Sequence, residues 1–285
     1  MTLAVPPLSP IILDPIVRLA LAEDLGRAGD LTTDATIPPD TVLSAVIAAR
    51  VPGVIAGLDA VAYAAQLIDP GLKLSVLKAD GSLLSPGDIV LKLDGAARSI
   101  LMAERTMLNF LGRLSGVATL TRQYVDAVAH TKARIVCTRK TTPGHRALEK
   151  RAVRCGGGTS HRYGLDDAIL IKDNHIAACG GSIADAMSRA KAYAGHLRMI
   201  EIEVDTLRQL EEALKYGPHA VLLDNMNLEE LRAAVSLTAG RVTLEASGGV
   251  TLASVAAIAE TGVNFISSGA LTHSAPNLDL GLDVV

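Results

Sequence analysis

Aromatic side chains are scarce: the 285 residues include no tryptophan and two phenylalanines. Proteins that hold single-stranded nucleic acid stack bases on aromatics interleaved with their cations, so the composition argues against that class. Cysteine is sparse as well. Cys137, Cys155 and Cys179 are odd in number, widely separated and match no zinc-ligand spacing, and a reduced, cytoplasmic setting is the simplest expectation. Mean hydropathy is +0.33, yet no run of about 18 uninterrupted apolar residues occurs. The best stretches are cut by Arg18, Glu23, Glu104 or Arg105, so no membrane span is expected. The opening MTLAVPPLSPIILDP has no basic start and is broken by four prolines, unlike a secretory leader.

What is present is an ordinary globular composition, 49% hydrophobic and 20% charged, with a net charge of −3. Charge is unevenly spread. Between Lys132 and Arg162 lie nine of the 27 basic residues against one acid, Glu149. Such asymmetry marks an anion-binding segment, and with no overall pull on nucleic acid the anion is expected to be small.

Two textures divide the chain. Up to about residue 96 a short helix pattern (Pro15 to Leu25) is followed by strand-like runs such as VLSAVIAARVPGVIAG. LKLSVLKADGSLLSPGDIVLKL reads as hairpins, with Asp80-Gly81 and Pro86-Gly87 as turns. A long helical stretch runs from Ala97 to about His130, and Ser115-Gly116 predicts an interruption in it. Beyond it, the runs RIVCT, AILIKD, MIEIEV, AVLLD, VTLEAS and NFISSG alternate with amphipathic helical segments. Consecutive β-then-α units imply a parallel sheet covered by helices. An open doubly wound sheet and a closed barrel both satisfy the pattern. No G-x-G-x-x-G turn follows the first strand, and polar residues recur where strands end, which favours an incomplete, six- or seven-stranded α/β barrel.

Those strand ends carry the chemistry. Ser247-Gly248-Gly249 and Ser267-Ser268-Gly269 each follow a strand and open a helix. Glycine lets backbone N–H groups approach an anion, and the helix dipole favours negative charge; two successive turns of this kind point to phosphate rather than to ordinary αβ connections. Arg139 and Lys140 end another strand. Arg146, Lys150, Arg151 and Arg154 have helical spacing and read as a solvated face. His161-Arg162, after a three-glycine run, is built to meet a planar carboxylate. Lys172 stands beside Asp173, where an ion pair is the plain alternative. Glu201 and Glu203 alternate on one strand and should both point inward; with Asp224 they suit magnesium, unless Lys172 neutralises one of them. Arg105 sits in a mostly apolar helix, which suggests an anionic partner or a reach to the surface.

The motifs AERTMLN, TRKTTPGHR, GGG with HR, LIKDNH, LLDN, SGGV and GVNFISSGALTHS occur together in the order seen in quinolinate phosphoribosyltransferases, and the chain resembles that family over nearly its whole length. The resemblance implies an N-terminal α/β sandwich domain, residues 1–115 with 275–285 as a candidate addition, and an α/β barrel domain at 116–274. It implies a homodimer or larger assembly with shared active sites. The implied reaction joins quinolinate to phosphoribosyl pyrophosphate with magnesium, releases pyrophosphate and carbon dioxide, and yields nicotinate mononucleotide for NAD biosynthesis. By the same resemblance Thr138, Arg139, His161, Arg162 and Lys172 hold quinolinate, with Arg105 supplied by the partner chain. Lys140 faces phosphoribosyl pyrophosphate. Glu201 and Asp224 serve the ribose hydroxyls and magnesium, directly or through water. Ser247, Gly248, Gly249, Ser268, Gly269 and Ala270 hold the 5′-phosphate. One departure is Cys137, where many relatives carry aspartate. A paralogue linked to molybdate transport shares some of these elements and is the alternative, although LIKDNH fits the quinolinate enzymes better.

Overall fold

A computed structural model describes residues 5–285, so the first residues of the stretch read above as unlike a leader lie outside it. The chain forms two compact units, one from residues up to 122 with 141–157 and 274–285, the other from 123–140 with 158–273.

In the first unit a four-stranded antiparallel sheet runs in the order Leu280–Val284, Val42–Ala49, Ile89–Ala96, Lys73–Val76. Ile47, Leu91, Leu93 and Ile100 are fully buried in it and its helices. Both expected turns form, with Gly81 and Gly87 at φ 89° and 88°. The segment between Val76 and Ile89 is not a plain hairpin, because Leu83–Leu84 leaves the sheet to pair with Gly53–Val54. The first helix begins five residues earlier than its pattern, at Pro10, with proline at the position where a missing N–H costs nothing.

Two expectations for this unit are corrected. The helix Ala97–Ala127 is continuous through Ser115-Gly116. These residues serve packing: the Ser115 hydroxyl bonds both the N–H and the carbonyl of Ala56. A Cβ on Gly116 would lie 1.9 Å from the Pro276 carbonyl oxygen, so only glycine lets that strand of chain cross the helix. The helix Arg146–Cys155 is present, but it has no solvated basic face at Lys150 and Arg151, which are 4% and 8% exposed. Arg151 donates to Asp80 at 2.5 Å and lies 3.3 Å from Asp59. Buried Glu149 accepts from Arg113 and Thr142. Paired burial of this kind removes the penalty an isolated charge would carry.

In the second unit six parallel strands, Arg134–Val136, Ile169–Ile171, Ile200–Val204, Ala220–Asp224, Thr243–Ser247 and Phe265–Ser267, form an incomplete barrel. Numbered along the chain, their order is first, sixth, fifth, fourth, third, second. Among the described residues the first and second strands do not pair. In the seam beside the first strand lies the segment after the three glycines, where Thr159 N–H donates to the Ile135 carbonyl and the Thr159 carbonyl accepts Cys137 N–H. Both faces of the sheet are covered, which is why its strands read as short, nearly continuous apolar runs.

Replacing Gly116 by alanine should destabilise the protein by about 1–3 kcal/mol, the usual cost of overpacking a fitted contact. A thermal melt should show the midpoint falling by several degrees; an unchanged midpoint would contradict the close crossing at Pro276.

Candidate active site

The carboxyl ends of the six strands surround a cavity of about 400 Å³. The first strand is followed by Thr138, Arg139 and Lys140, and the Thr138 hydroxyl accepts Lys140 N at 3.0 Å. Thr272 donates to the Lys140 carbonyl at 2.7 Å, so the strand end is tied down on two sides. The seam segment brings His161 and Arg162, the second strand Lys172, the third Glu203, the fourth Asp224 and Asn225, and the fifth Glu245 followed by Ser247, Gly248 and Gly249. A second opening of about 230 Å³ shares Thr138, Lys140 and the Ser-Gly-Gly turn with the first and adds Ser268, Gly269, Ala270 and His273. The two glycine turns expected to cradle a phosphate therefore face one space. Within it Ser268 contributes backbone, since its hydroxyl donates to the Val250 carbonyl at 3.3 Å.

Cations crowd the other side. Burial, and next the Arg139 guanidinium, hold Arg162 below the usual guanidinium value. Its Nε is buried without a hydrogen-bond partner, while one Nη donates to the Ala168 carbonyl. Two neighbouring guanidiniums of this kind are stabilised when an anion enters between them. Lys172 reaches Glu203 at 2.7 Å. That ion pair is the one the alternation of Glu201 and Glu203 allowed, and it displaces the plainer pairing with Asp173, which is exposed and accepts Asn174 N instead.

The acids divide differently from the expectation. Glu201 does not line the cavity that holds Asp224. It faces a third cavity of about 290 Å³, which shares His161, Arg162 and Glu245 with the first and extends toward the strand starts, and it stands 3.2 Å from His161 Nε2. Glu245 lies 3.5 Å from the same nitrogen. His161, Glu201 and Glu245 place their potential ligand atoms within 4.8 Å of one another, and Asp224 is not among them. An imidazole between two carboxylates reads first as an ion-pair cluster. Glu245 is buried, and burial first, then the Glu201 carboxylate, push it up to about 7 against the pull of His161.

Arg105 does not line any of these openings; it lies exposed on the helix Ala97–Ala127 of the first unit. Residues lining these openings that strand-end reading left without a role are Asn225, Glu245 and His273. Glu245 was recoverable, since it lies two residues before Ser247 and so shares its face of the strand. His273 follows Gly269 by four residues, one helical turn, into the same opening.

Two glycine turns and a cluster of cations joined at the carboxyl ends of barrel strands have the chemistry of an enzyme acting on anionic substrates. Comparison with known proteins narrows this. Residues 30–115 match the model of the quinolinate phosphoribosyl transferase N-terminal domain, and residues 117–283 that of the C-terminal domain. The chain is 47% identical over 276 residues to the carboxylating nicotinate-nucleotide pyrophosphorylase of Mycobacterium leprae, covering 94% of this chain and 95% of that one. A probable enzyme of the same name from Bacillus subtilis is 45% identical over 262 residues, covering 92% and 90%. The solved nicotinate-nucleotide pyrophosphorylase of Francisella tularensis superposes with a TM-score of 0.93 at 38% identity, covering all of both chains. The chain belongs to the quinolinate phosphoribosyltransferase family.

The raised carboxyl of Glu245 makes a prediction whose sign can be worked out. Its folded value lies above its unfolded one, so folding takes up a proton, and its contribution is intact below about pH 4.5 and lost as pH rises toward 7. Glu245→Gln should therefore stabilise the protein by roughly 1–3 kcal/mol at pH 8, with the gain shrinking toward pH 5. Melts across that range should show converging midpoints; a constant difference would exclude this account.

Proposed function

We propose that the chain transfers phosphoribose from phosphoribosyl pyrophosphate to the ring nitrogen of quinolinate, with loss of carbon dioxide and pyrophosphate, to give nicotinate mononucleotide. The observation that carries this reading is the placing of the neighbouring guanidiniums of Arg139 and Arg162 and of two glycine turns around adjoining openings at the strand ends. A dicarboxylate and a phosphorylated sugar fit those halves.

In this reading Arg139, Arg162, His161 and Lys172 take the two carboxylates, with Thr138 at the edge. The 5′-phosphate lies against Ser247, Gly248 and Gly249 and against the backbone of Ser268, Gly269 and Ala270, with Lys140 toward the pyrophosphate. The reaction requires the bond from ribose C1 to pyrophosphate to lengthen as the pyridine nitrogen closes on it. Positive charge grows on the sugar, and Asp224 is the acid that lines this part of the opening; fixed charge aimed at that position lowers the barrier. Cationic Lys140 favours departure of the pyrophosphate. Once bonded to ribose, the ring nitrogen is positive, so the adjacent carboxylate can leave as carbon dioxide with its electron pair held beside that charge, and a proton then fills the position. Two anions must be held in register, and little proton transfer is asked of the protein.

Magnesium belongs to the same proposal. Asp224 offers a carboxylate beside the phosphate turns, and hard oxygen donors with substrate phosphates are what magnesium takes. Glu201, engaged with His161, would act through water. The ion supplies neutralisation of the pyrophosphate charge. A homodimer with Arg105 lent to the neighbouring chain's site, and a cytoplasmic setting in keeping with three free cysteines, complete the reading. No described helix is long and apolar enough to cross a membrane.

Incubation with quinolinate, phosphoribosyl pyrophosphate and magnesium should produce nicotinate mononucleotide by mass detection, and a chelator should stop it. Nicotinic acid, one carboxylate short, would leave buried cations unmatched at a cost of several kcal/mol and should be turned over at least about a hundredfold more slowly. Comparable rates for the two acids, or full speed with chelator, would overturn the assignment or its metal.

Sharing of sites is tested by mixing inactive Arg105→Ala and Lys140→Ala chains. If Arg105 acts across the interface, half of randomly exchanged dimers carry one intact site, and activity recovers to roughly a quarter of wild type. No recovery would mean that each Arg105 serves its own chain.

A further inference from the structure

Asn225 occupies a backbone conformation that its exposure does not explain. Its φ is +54°, and among the described residues only Ala239 shares a positive φ without being glycine. An exposed left-handed position immediately after a strand calls for glycine on conformational grounds, although asparagine tolerates it better than most residues. Here the side chain is put to use. Its Nδ2 donates to Asp224 Oδ2 at 2.6 Å. Its backbone N–H donates to the Ser247 carbonyl at 2.9 Å, extending by one step the ladder in which Asp224 and Ser247 are partners. Its Oδ1 lies so close to the next turn that a Cβ built on Gly248 would be 2.1 Å from it.

One residue thus touches the acid expected at the ribose and the turn expected at the 5′-phosphate. We propose that Asn225 is a positioning residue, which holds the Asp224 carboxylate in one rotamer and at a set separation from the Ser247-Gly248-Gly249 turn. The proposal rests on the phosphoribosyl-transfer reading for its catalytic consequence, though not for its geometry. It also adds to the demand for glycine at 248, whose φ of +89° already favours it: the Asn225 amide fills the space a side chain would need.

The test separates positioning from folding. Asn225→Gly suits the left-handed backbone and removes only the amide, so its melting temperature should match or exceed that of wild type. Its kcat should fall at least about tenfold, while KM for quinolinate stays within about twofold, because the cationic side is untouched. In an Asp224→Asn background the same change should cost less than about twofold, since residues acting as one unit are not additive. Asn225→Asp, which places a like charge beside Asp224, should be at least as impaired as Asn225→Gly. A crystal structure of free Asn225→Gly should show Asp224 in more than one rotamer, a readout that needs no turnover. A single unchanged Asp224 rotamer overturns the proposal whether or not the protein has the assigned activity. Wild-type kcat in Asn225→Gly, or an equal additional loss on top of Asp224→Asn, also overturns it and leaves the assigned reaction standing. Absence of wild-type turnover with quinolinate removes the reaction, and the rotamer result then decides the positioning claim alone.

Discussion

Arg139 stands close enough to Arg162 inside a partly buried opening to disfavour the charge of Arg162, and the acids of the barrel are arranged around that repulsion. Like charges held apart from bulk water persist only where the fold supplies opposite charge or a ligand does. The barrel supplies some of it. Glu203 takes Lys172, and Glu201 with Glu245 flank His161, so acids one layer down the strands match cations at the rim. Arg162 keeps a buried Nε without a hydrogen-bond partner beside the Arg139 guanidinium.

The same arrangement explains why the acids are distributed in depth. Alternation along Ile200–Val204 sends Glu201 and Glu203 to the same side two residues apart, so one meets the lysine of the neighbouring strand end and the other meets the seam histidine. Glu245 joins the deeper layer, where burial makes its negative charge costly enough to move its titration to about 7. Asp224 is set apart from this layer, beside the Ser247-Gly248-Gly249 turn, where it accepts the Asn225 amide.

How much of this could be read from residues alone follows from the range of the interactions. Each barrel strand was legible because a strand buried on both faces leaves a local signature, and Arg139, Lys172, Asp224 and the two glycine turns were legible because strand ends are local too. Where a residue's role depends on a distant partner, the local pattern misled. Arg151 has the spacing of a solvated helix face, yet its partner Asp80 is 71 positions away. Ser115-Gly116 looks like a break because both residues are poor helix formers, whereas their use lies against Ala56 and Pro276. Glu245 shows its face by lying two residues before Ser247, but its pairing with His161 depends on a seam segment that no local pattern places.

The seam between the first and second strands has an evolutionary consequence. His161 and Arg162 arrive on a loop segment that shares two hydrogen bonds with the edge of the first strand, while the Ser247-Gly248-Gly249 and Ser267-Ser268-Gly269 turns are rooted in paired strands. Loops tolerate replacement far better than strands whose register determines every inward side chain. The backbone that carries His161 and Arg162 can therefore take substitutions that the backbone beneath Ser247 and Ser267 cannot.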